Sequence, residues 1–538
     1  MEKNRFIILF ILMSVSLISW SQDQRFMVFF EDKNSNFSID NPTAFLSQRA
    51  IDRRVKQNIT IIEEDLPVSQ EYLQTLEGLD VTVWYPTRWL NGALIQTDSS
   101  KLSEIRDLPF VNNIEYVAPG PLRPQNIGQI QQKSAVLANG RVQSTELQNH
   151  LLGVDHMVLD GNTGAGIIIG VFDGGFQGVD QVSSFSHFTT NDQLKAAFDF
   201  VGNSPNVFRY DDHGTKALSV LGGNTPGLFT GSAVDADYIL SVTEDVSSEY
   251  RIEEYNWLFA AEMADSVGVD IITTSLGYSD FDDSAMNYQP EDLDGATTAI
   301  SRAGTIAASK GIVLIFSAGN EGNSSWQTIT APADVKDAIA VGAIRNDSTK
   351  ASFSSTGPTA DGRIKPDVVA LGVNTAVINR NGNVVFNNGT SFSGPQIAGL
   401  AAGVWQANPE YTYLEVIEAI RNSSHMLQDP NNHTGYGIPF YPNAKKLVLS
   451  VESSEDAQFI QLFPNPMGDH LYLLSQTSLR ETSIFIHNTS GQALFENRLS
   501  YVSADTPYRI DIPNLASGVY LLTVLAPEGA ETFRLIRE

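Results

Sequence analysis

The sequence has no cysteine and few basic residues. The lack of cysteine excludes disulfides, thiolate metal sites and thiol nucleophiles, although it does not fix a compartment. The 34 Lys and Arg residues are outnumbered by 62 Asp and Glu, which gives a formal net charge of −28 at pH 7. Binding to nucleic acid or to an anionic lipid surface needs clustered positive charge. We therefore expect neither nucleic acid nor a membrane surface as a partner.

Long apolar runs are scarce, and one lies near the N-terminus. Lys3 and Arg5 precede a short apolar stretch, and the small residues Ser19 and Ser21 follow it. This order predicts a secretory signal over residues 1–21. The alternative is a membrane anchor, but the stretch is shorter than the roughly 20 residues that span a bilayer. We expect a secreted protein with no membrane span after processing.

The rest of the chain divides into units of different pattern. Residues 22–120 mix short strands and helices in a small α+β unit, and residues 121–149 have the composition of a linker or processing region. Residues 150–450 alternate continuous apolar runs with helical stretches, which predicts an α/β fold with a parallel sheet flanked by helices. Residues 455–538 contain short alternating strands, typical of a β-sandwich.

Three polar residues stand at the ends of predicted elements in the α/β unit. Asp173 ends the apolar strand "GIIIGVFD", His213 precedes a helix in "DDHGTKAL", and Ser391 precedes another in "NNGTSFSGP". Alone, each has an ordinary explanation as a cap, turn or structural residue. Together they supply an orienting carboxylate, a proton acceptor and a nucleophile, the set needed for acyl transfer. Ser393 is a second candidate nucleophile, but its place inside the helix favours a packing role.

The order Asp, His, Ser and the strings around these residues resemble the subtilisin-like serine proteases. "HGT" resembles the histidine motif of that family, "GTSFSGP" its nucleophile motif, and "SAGNEG" its oxyanion-hole segment. The resemblance extends over about residues 153–444. It implies hydrolysis of peptide bonds in a protein or peptide substrate, without an organic cofactor.

The resemblance also implies a role for individual residues. Ser391 is the implied nucleophile, His213 the base and Asp173 its orienting partner, while Asn320 and the backbone N–H of Ser391 form the oxyanion hole. Two segments are implied to line the pocket for the residue before the cleaved bond: Ser275, Leu276 and Gly277, and Ser317, Ala318 and Gly319. For the glycines, close strand packing is an equally good explanation.

Two positions depart from the family pattern. Gly174 stands where Ser or Thr is usual, and Lys216 replaces a second histidine. Neither change removes a group of the triad. Both leave open an alternative, a non-catalytic surface binding protein built on a subtilisin scaffold.

The units on either side of the α/β unit also resemble known domains, and some acidic stretches are candidate Ca²⁺ sites. Residues 22–120 resemble the propeptide of this family, which makes the chain's own propeptide a partner. Residues 455–538 resemble the sorting domain of the type IX secretion system of Bacteroidetes, which implies export to the cell surface through the periplasm by that machinery. Acidic stretches such as residues 291–295 offer carboxylates for Ca²⁺, but the ligand spacing of an EF-hand is absent and we expect a solvated turn.

Overall fold

The computed structural model describes residues 23–120, 136–137, 145–445 and, with short gaps, 460–537. The predicted signal over residues 1–21 and most of the predicted linker over residues 121–149 lie outside this part. The chain forms two compact units, Met1–Leu447 and Val448–Glu538, which are described separately.

The first unit begins with a four-stranded antiparallel sheet and three helices. The strands lie in the order β2-β3-β1-β4 and are β1 (Gln24–Phe30), β2 (Thr82–Thr87), β3 (Gly92–Thr97) and β4 (Val111–Pro119). The helices are α1 (Gln48–Lys56), α2 (Gln70–Glu77) and α3 (Leu102–Arg106). Ser47 and Ser69 cap the first two helices by accepting a hydrogen bond from a backbone N–H of the first turn. This is the expected α+β unit.

Helix α1 is the element of this region that the sequence pattern did not predict. Its sequence "QRAIDRRVK" has no continuous apolar stripe, because its buried face consists of Ala50, Arg53 and Arg54. The helix packs through ion pairs with the following part of the chain, so hydrophobic periodicity gives little signal.

The larger part of the first unit is built on a parallel sheet. Its remaining strands are β5 (Val136–Leu137), β6 (Ile168–Asp173), β7 (Leu194–Asp199), β8 (Asn224–Thr225), β9 (Phe229–Thr230), β10 (Asp237–Val242), β11 (Ile271–Thr274), β12 (Val313–Ser317), β13 (Ile339–Ile344), β14 (Val368–Leu371), β15 (Thr375–Ile378) and β16 (Val384–Asn387). Its remaining helices are α4 (Glu146–Leu151), α5 (Val154–Leu159), α6 (Ser186–Thr190), α7 (His213–Gly222), α8 (Ile252–Val267), α9 (Ala299–Ser309), α10 (Thr390–Ala407), α11 (Tyr413–Asn422) and α12 (Tyr441–Ala444).

Seven of these strands form the parallel sheet, in the order β14-β13-β12-β11-β6-β10-β7. Every residue of β6, β11, β12, β13 and β14 is buried, which explains their continuous apolar sequences. The predicted α/β fold is confirmed. After β6 the chain crosses to β7 and β10 on one side and then to β11 on the other, so the end of β6 lies at a topological switch point, where sites are expected.

Helix α10 lies against this sheet and is buried from Thr390 to Trp405. It packs on α7 and on the strands β11 to β14. Its small residues allow this close approach: a methyl group on Gly399 would lie 1.8 Å from Ser232 Oγ, and one on Gly403 would lie 1.9 Å from Met157 Sδ. The run of small residues after Ser391 is therefore required by packing.

Parts of the predicted linker pack on the α/β fold. Strand β5 pairs antiparallel with β16, and α4 starts inside the linker range. The side chain of Gln148 in α4 exchanges two hydrogen bonds with the backbone of Ala376.

The second unit is a β-sandwich, as expected from its alternating strands. Its strands are β17 (Ile460–Phe463), β18 (His470–Ser475), β19 (Leu479–Asn488), β20 (Ala493–Val502), β21 (Tyr508–Asp511), β22 (Gly518–Ala526) and β23 (Gly529–Arg537). They form two sheets, β17-β18-β21 and β20-β19-β22-β23, around a shared core that includes Leu471, Ile484 and Leu522. Arg537 in the last strand forms an ion pair of 2.9 Å with Asp469. Among the described residues, no helix has the length and apolar character needed to cross a membrane.

Candidate active site

The carboxylate of Asp173 and the imidazole of His213 form a direct pair. Asp173 is the last residue of β6 and His213 the first of α7, and Nδ1 of His213 lies 2.9 and 3.1 Å from the two carboxylate oxygens. Asp173 is buried, and one of its oxygens also accepts a hydrogen bond from the backbone N–H of Gly174. The backbone N–H of His213 donates to Asp211, which fixes the start of the helix. The carboxylate thus orients the ring, and Nε2 is the nitrogen left for a proton transfer.

The environment of His213 favours its charged form. Burial lowers the pKa of the imidazole, but the charge of Asp173, its hydrogen bond and the charges of Asp211 and Glu244 outweigh burial and raise the pKa to about 9. A quarter of the side chain remains exposed.

Ser391 lies in the first turn of α10 and is largely buried. Its hydroxyl donates to the carbonyl oxygen of Ser275 at 3.2 Å, and the hydroxyl of Ser275 donates back to the carbonyl oxygen of Ser391 at 2.8 Å. The ring of the next residue, Phe392, lies 5.7 Å from the ring of His213. The first turn of α10 therefore lies close to His213 through Phe392, and Ser391 is hydrogen-bonded to the segment that follows β11.

Asn320 follows β12 and is held by Thr390. The amide oxygen of Asn320 accepts hydrogen bonds from the backbone N–H of Thr390 at 2.9 Å and from its hydroxyl at 3.1 Å. Because the oxygen is engaged, the NH₂ end of the amide is the end left to donate. Thr390 was not among the predicted site residues, since nothing in the sequence connects it with a residue 70 positions earlier.

The two predicted pocket segments follow neighbouring strands, β11 and β12. Four of their residues, Ser275, Leu276, Ser317 and Ala318, are buried, whereas Gly277 is exposed and Gly319 is half-buried. A methyl group on either glycine would lie within 3 Å of Thr330 Oγ1. Thr330 therefore lies between the two segments, and both glycines are required by close packing. Thr330 was not predicted from the sequence, because it belongs to a different loop.

The two departures from the family pattern have structural explanations. The ammonium group of Lys216 forms a largely buried ion pair with Asp212 at 2.7 Å, one helical turn earlier. At Gly174 a methyl group would lie 2.7 Å from Val246 Cγ1 and 3.3 Å from Glu244 Oε2. A larger residue than glycine at this position would require the loop after β10 to shift.

Two other predicted candidates serve the local structure. The hydroxyl of Ser393 is fully buried and donates to the carbonyl oxygen of Thr390. In the acidic stretch over residues 291–295, the carboxylate of Asp294 accepts hydrogen bonds from Thr297 and from the backbone N–H of Ala296. That carboxylate closes its own turn, in line with the expected solvated turn.

The N-terminal α+β part packs on α8 through buried charge. Arg53, Arg54 and Arg88 all contact the fully buried carboxylate of Asp265, at 2.5, 2.9 and 2.5 Å. Glu262 lies three residues before Asp265 on the same helix. It accepts hydrogen bonds from the side chain of Thr87 and from the backbone N–H groups of Arg88 and Trp89. Residues 23–120 are thus docked on the α/β part by specific ionic contacts.

Sequence models of known protein families match three parts of the chain. The sequence model of the subtilase family, Peptidase S8, matches residues 164–438. That of the Peptidase S8 propeptide domain of Bacteroidota matches residues 25–134, and that of the secretion system C-terminal sorting domain matches residues 461–538. The chain therefore belongs to the subtilase family and carries a propeptide domain and a sorting domain for export by a secretion system.

Several proteases are similar to about half of this chain. Serine protease AprX of Bacillus subtilis is 30% identical over 300 residues, which cover 50% of this chain and 64% of the relative. Subtilisin amylosacchariticus of Bacillus subtilis is 29% identical over 269 residues and is covered to 62%. Subtilisin of Bacillus pumilus is also 29% identical over 269 residues and is covered to 86%. The chain thus spans less than two thirds of the first two relatives.

Proposed function

We propose that this chain is a secreted serine endopeptidase that hydrolyses peptide bonds through an acyl-enzyme on Ser391. The observation that carries the proposal is the pairing of Asp173 with His213 at the switch point of the sheet, beside the first turn of α10. The proposal assigns Asp173 as the orienting carboxylate, His213 as the base and Ser391 as the reacting hydroxyl, and their position at one edge of the sheet supports it.

In the proposed reaction, His213 accepts the proton of Ser391 as the hydroxyl oxygen attacks the substrate carbonyl. The histidine then gives this proton to the leaving amine, and water repeats the sequence to release the acid. Asp173 holds the imidazole in the required tautomer. The hydrogen bond of Ser391 to Ser275 is exchanged for one to Nε2 of His213, since catalytic hydrogen bonds tighten when substrate is bound.

The oxyanion of the tetrahedral intermediate is stabilised by two donors. These are the NH₂ group of Asn320 and the backbone N–H of Ser391, which belongs to the N-terminal turn of a helix of 18 residues. Unpaired N–H groups and the helix dipole both favour negative charge at this point.

The proposed substrate is an extended peptide segment of a protein. The exposed backbone at Gly277 allows the segment to add as a strand, and the space bounded by Leu276, Ala318 and Thr330 receives the side chain before the cleaved bond. The sequence offers no basis for an organic cofactor, and none is part of this mechanism.

The flanking domains fit a protease that is inactive until export. Residues 22–120 act as an inhibitor and folding aid held on α8, and cleavage within residues 121–149 releases them. The C-terminal domain engages the type IX secretion machinery, which carries the chain across the outer membrane. No observation favours the non-catalytic alternative, because Lys216 is paired with Asp212 and Gly174 fits its surroundings.

The test is labelling by phenylmethylsulfonyl fluoride followed by peptide mapping with mass spectrometry. The processed protein should carry one adduct, on Ser391, and should lose hydrolysis of casein. The His213→Ala variant is the control and should not react. Folded, processed protein that gives no adduct would refute the proposal.

A further inference from the structure

Three glutamates meet between the end of β10 and the start of α8. One carboxylate oxygen each from Glu244, Glu249 and Glu253 lies within 4.8 Å of the other two. Glu244 follows β10 by two residues, and Glu253 is in the first turn of α8. The connecting loop therefore closes around a space lined by three carboxylates, next to the active-site edge of the sheet.

The charge of His213 offsets part of the negative charge on Glu244. In the part of the chain that the structure describes, no lysine or arginine forms a salt bridge with any of the three glutamates. The nearest arginine in sequence, Arg251, is engaged elsewhere, with Glu115 at 3.2 Å and with Glu254 at 3.8 Å. Like charges so close together repel each other unless a cation or protons compensate them. The positive charge near the cluster therefore acts on Glu244, whereas Glu249 and Glu253 have no ion-pair partner among the described residues.

Two buried polar groups in this place also lack a partner. Oε2 of Glu253 has no hydrogen bond although the residue is fully buried, and the hydroxyl of Tyr278 has none although this residue is 1% exposed. Burial raises the pKa of Tyr278, and the charges of Glu253, Glu244 and Glu249 raise it further, so the phenol lies in the electrostatic field of these carboxylates. Buried polar groups in proteins are normally hydrogen-bonded or bound to an ion. The fully buried and unpartnered oxygen of Glu253, which belongs to the cluster, therefore points to a ligand among these carboxylates.

The chemistry of the cluster selects the kind of ligand. All available donors are oxygens, with no histidine or cysteine, which favours a hard cation over a transition metal. Calcium binds oxygens at about 2.3–2.6 Å, so two of its ligands are separated by up to about 5 Å, as the three carboxylates are here. Because the ligands come from a loop and a helix end, the flexible geometry of Ca²⁺ suits them better than the octahedron of Mg²⁺. Glu244 and Glu249 are half-buried, which leaves a route from solvent.

We propose that Glu244, Glu249 and Glu253 bind one Ca²⁺ ion beside the hydroxyl of Tyr278. The site lies near the proposed catalytic pair, because Glu244 Oε2 is 3.3 Å from the position of a methyl group on Gly174, the residue after Asp173. The ion fixes the loop after β10 against the active-site edge. This inference does not depend on the proposed protease activity.

The test uses the full chain with the substitution Ser391→Ala, so that self-cleavage cannot change the sample. Tb³⁺, a luminescent substitute for Ca²⁺, is titrated while tyrosine and tryptophan are excited. We expect a saturable signal of one ion per chain that added Ca²⁺ displaces, and a higher Tm in Ca²⁺ than in EGTA. Glu253→Gln should remove both effects, and Tyr278→Phe should weaken the luminescence.

Glu291→Gln, in the exposed acidic turn, is the matched control and should keep both effects. Glu244→Gln, at a half-buried position, provides a second ligand variant if Glu253→Gln does not fold. The proposal is overturned if the parent chain gives no saturable signal, or if Glu291→Gln abolishes the signal as Glu253→Gln does. A further result would also overturn it: Glu253→Gln keeps Ca²⁺ binding in the Ser391→Ala chain, but the same substitution in the chain that retains Ser391 abolishes cleavage of substrates with Lys or Arg. The cluster would then be a substrate subsite.

Discussion

The amide oxygen of Asn320 accepts two hydrogen bonds from one residue, Thr390, through its backbone N–H and its hydroxyl. Thr390 immediately precedes Ser391, so the group proposed to stabilise the oxyanion is held by the turn that carries the proposed nucleophile. Any loosening of this contact should reduce stabilisation of the transition state more than binding of the substrate.

Thr390→Val should therefore lower kcat by about 2- to 10-fold with little change in KM. The substitution keeps the shape of the buried side chain and removes one of two hydrogen bonds, each worth about 0.5–1.5 kcal/mol. Steady-state kinetics on a peptide substrate measures both constants. Thr375→Val, which removes a buried hydroxyl bonded to Leu371, is the control and should leave kcat unchanged. A rise in KM alone would contradict the positioning role.

The two serines of α10 should separate in a substitution experiment. Ser391→Ala should lower kcat by about 10⁴- to 10⁶-fold, the range known for loss of a triad residue in serine proteases, including subtilisin. Ser393→Ala should keep most of the activity, because its hydroxyl bonds only within its own helix turn. Circular dichroism checks that both variants fold. If Ser393→Ala is inactive and Ser391→Ala active, the nucleophile is assigned wrongly.

The activity should increase with pH through the titration of His213. The base must be neutral to accept the serine proton, and the surrounding carboxylates raise its pKa to about 9, so kcat/KM should rise between about pH 7 and 10. The free energy of unfolding should change in the opposite direction to activity. The protonated histidine contributes fully to stability below pH 6.5, and this contribution is lost as the pH rises to about 9.

Asp211→Asn tests the cause of that shift. Asparagine still accepts the hydrogen bond from the backbone N–H of His213 but removes a negative charge, so the midpoint of kcat/KM against pH should fall. Asp180→Asn, at an exposed position, should leave the midpoint in place. A wild-type midpoint near the ordinary histidine pKa of about 6.5 would contradict the argument.

The sequence was sufficient for those site residues that stand at the end of an element. Asp173 closes an apolar strand, and His213 and Ser391 open helices, so local patterns place them on one edge of a parallel sheet. The same patterns predicted the sandwich at the C-terminus, whose strands alternate regularly.

Contacts between distant segments gave no such signal. Thr330 lies between Gly277 and Gly319 although it belongs to another loop, and Thr390 holds Asn320 across 70 residues. Helix α1 was missed because it docks with arginines instead of an apolar stripe. These features depend on which elements become neighbours, and a single sequence does not encode that in its local periodicity.

Gly174 should resist replacement by the residue that is usual in the family. In Gly174→Ser the new Cβ would lie 2.7 Å from Val246 Cγ1, so we expect a loss of about 1–3 kcal/mol in the free energy of unfolding. The double variant Gly174→Ser, Val246→Ala should recover part of that loss, because it removes the clashing methyl groups. Chemical denaturation in the Ser391→Ala background measures each value. Equal stability of the parent and the single variant would show that the loop after β10 yields without cost.

The carboxylate of Asp265 should hold the N-terminal α+β part on α8. Burial raises the pKa of Asp265, but the charges of Arg88, Arg53 and Arg54 outweigh burial and hold it well below its usual range. Asp265→Asn leaves the buried guanidinium groups of Arg53 and Arg88 without their anion, while Arg54 keeps an ion pair with Asp65. We therefore expect the free energy of unfolding to fall by about 3–5 kcal/mol in the Ser391→Ala background. Because the pKa of Asp265 is lowered in the folded protein, its stabilising effect is lost only as the pH falls below the ordinary range of an aspartate and towards that lowered pKa. The difference in free energy of unfolding between parent and variant should therefore persist from pH 7 down to about pH 4. Asp52→Asn, which changes an exposed residue of α1, is the control, and an equal effect of both substitutions on denaturation would exclude the ionic cluster as the main contact.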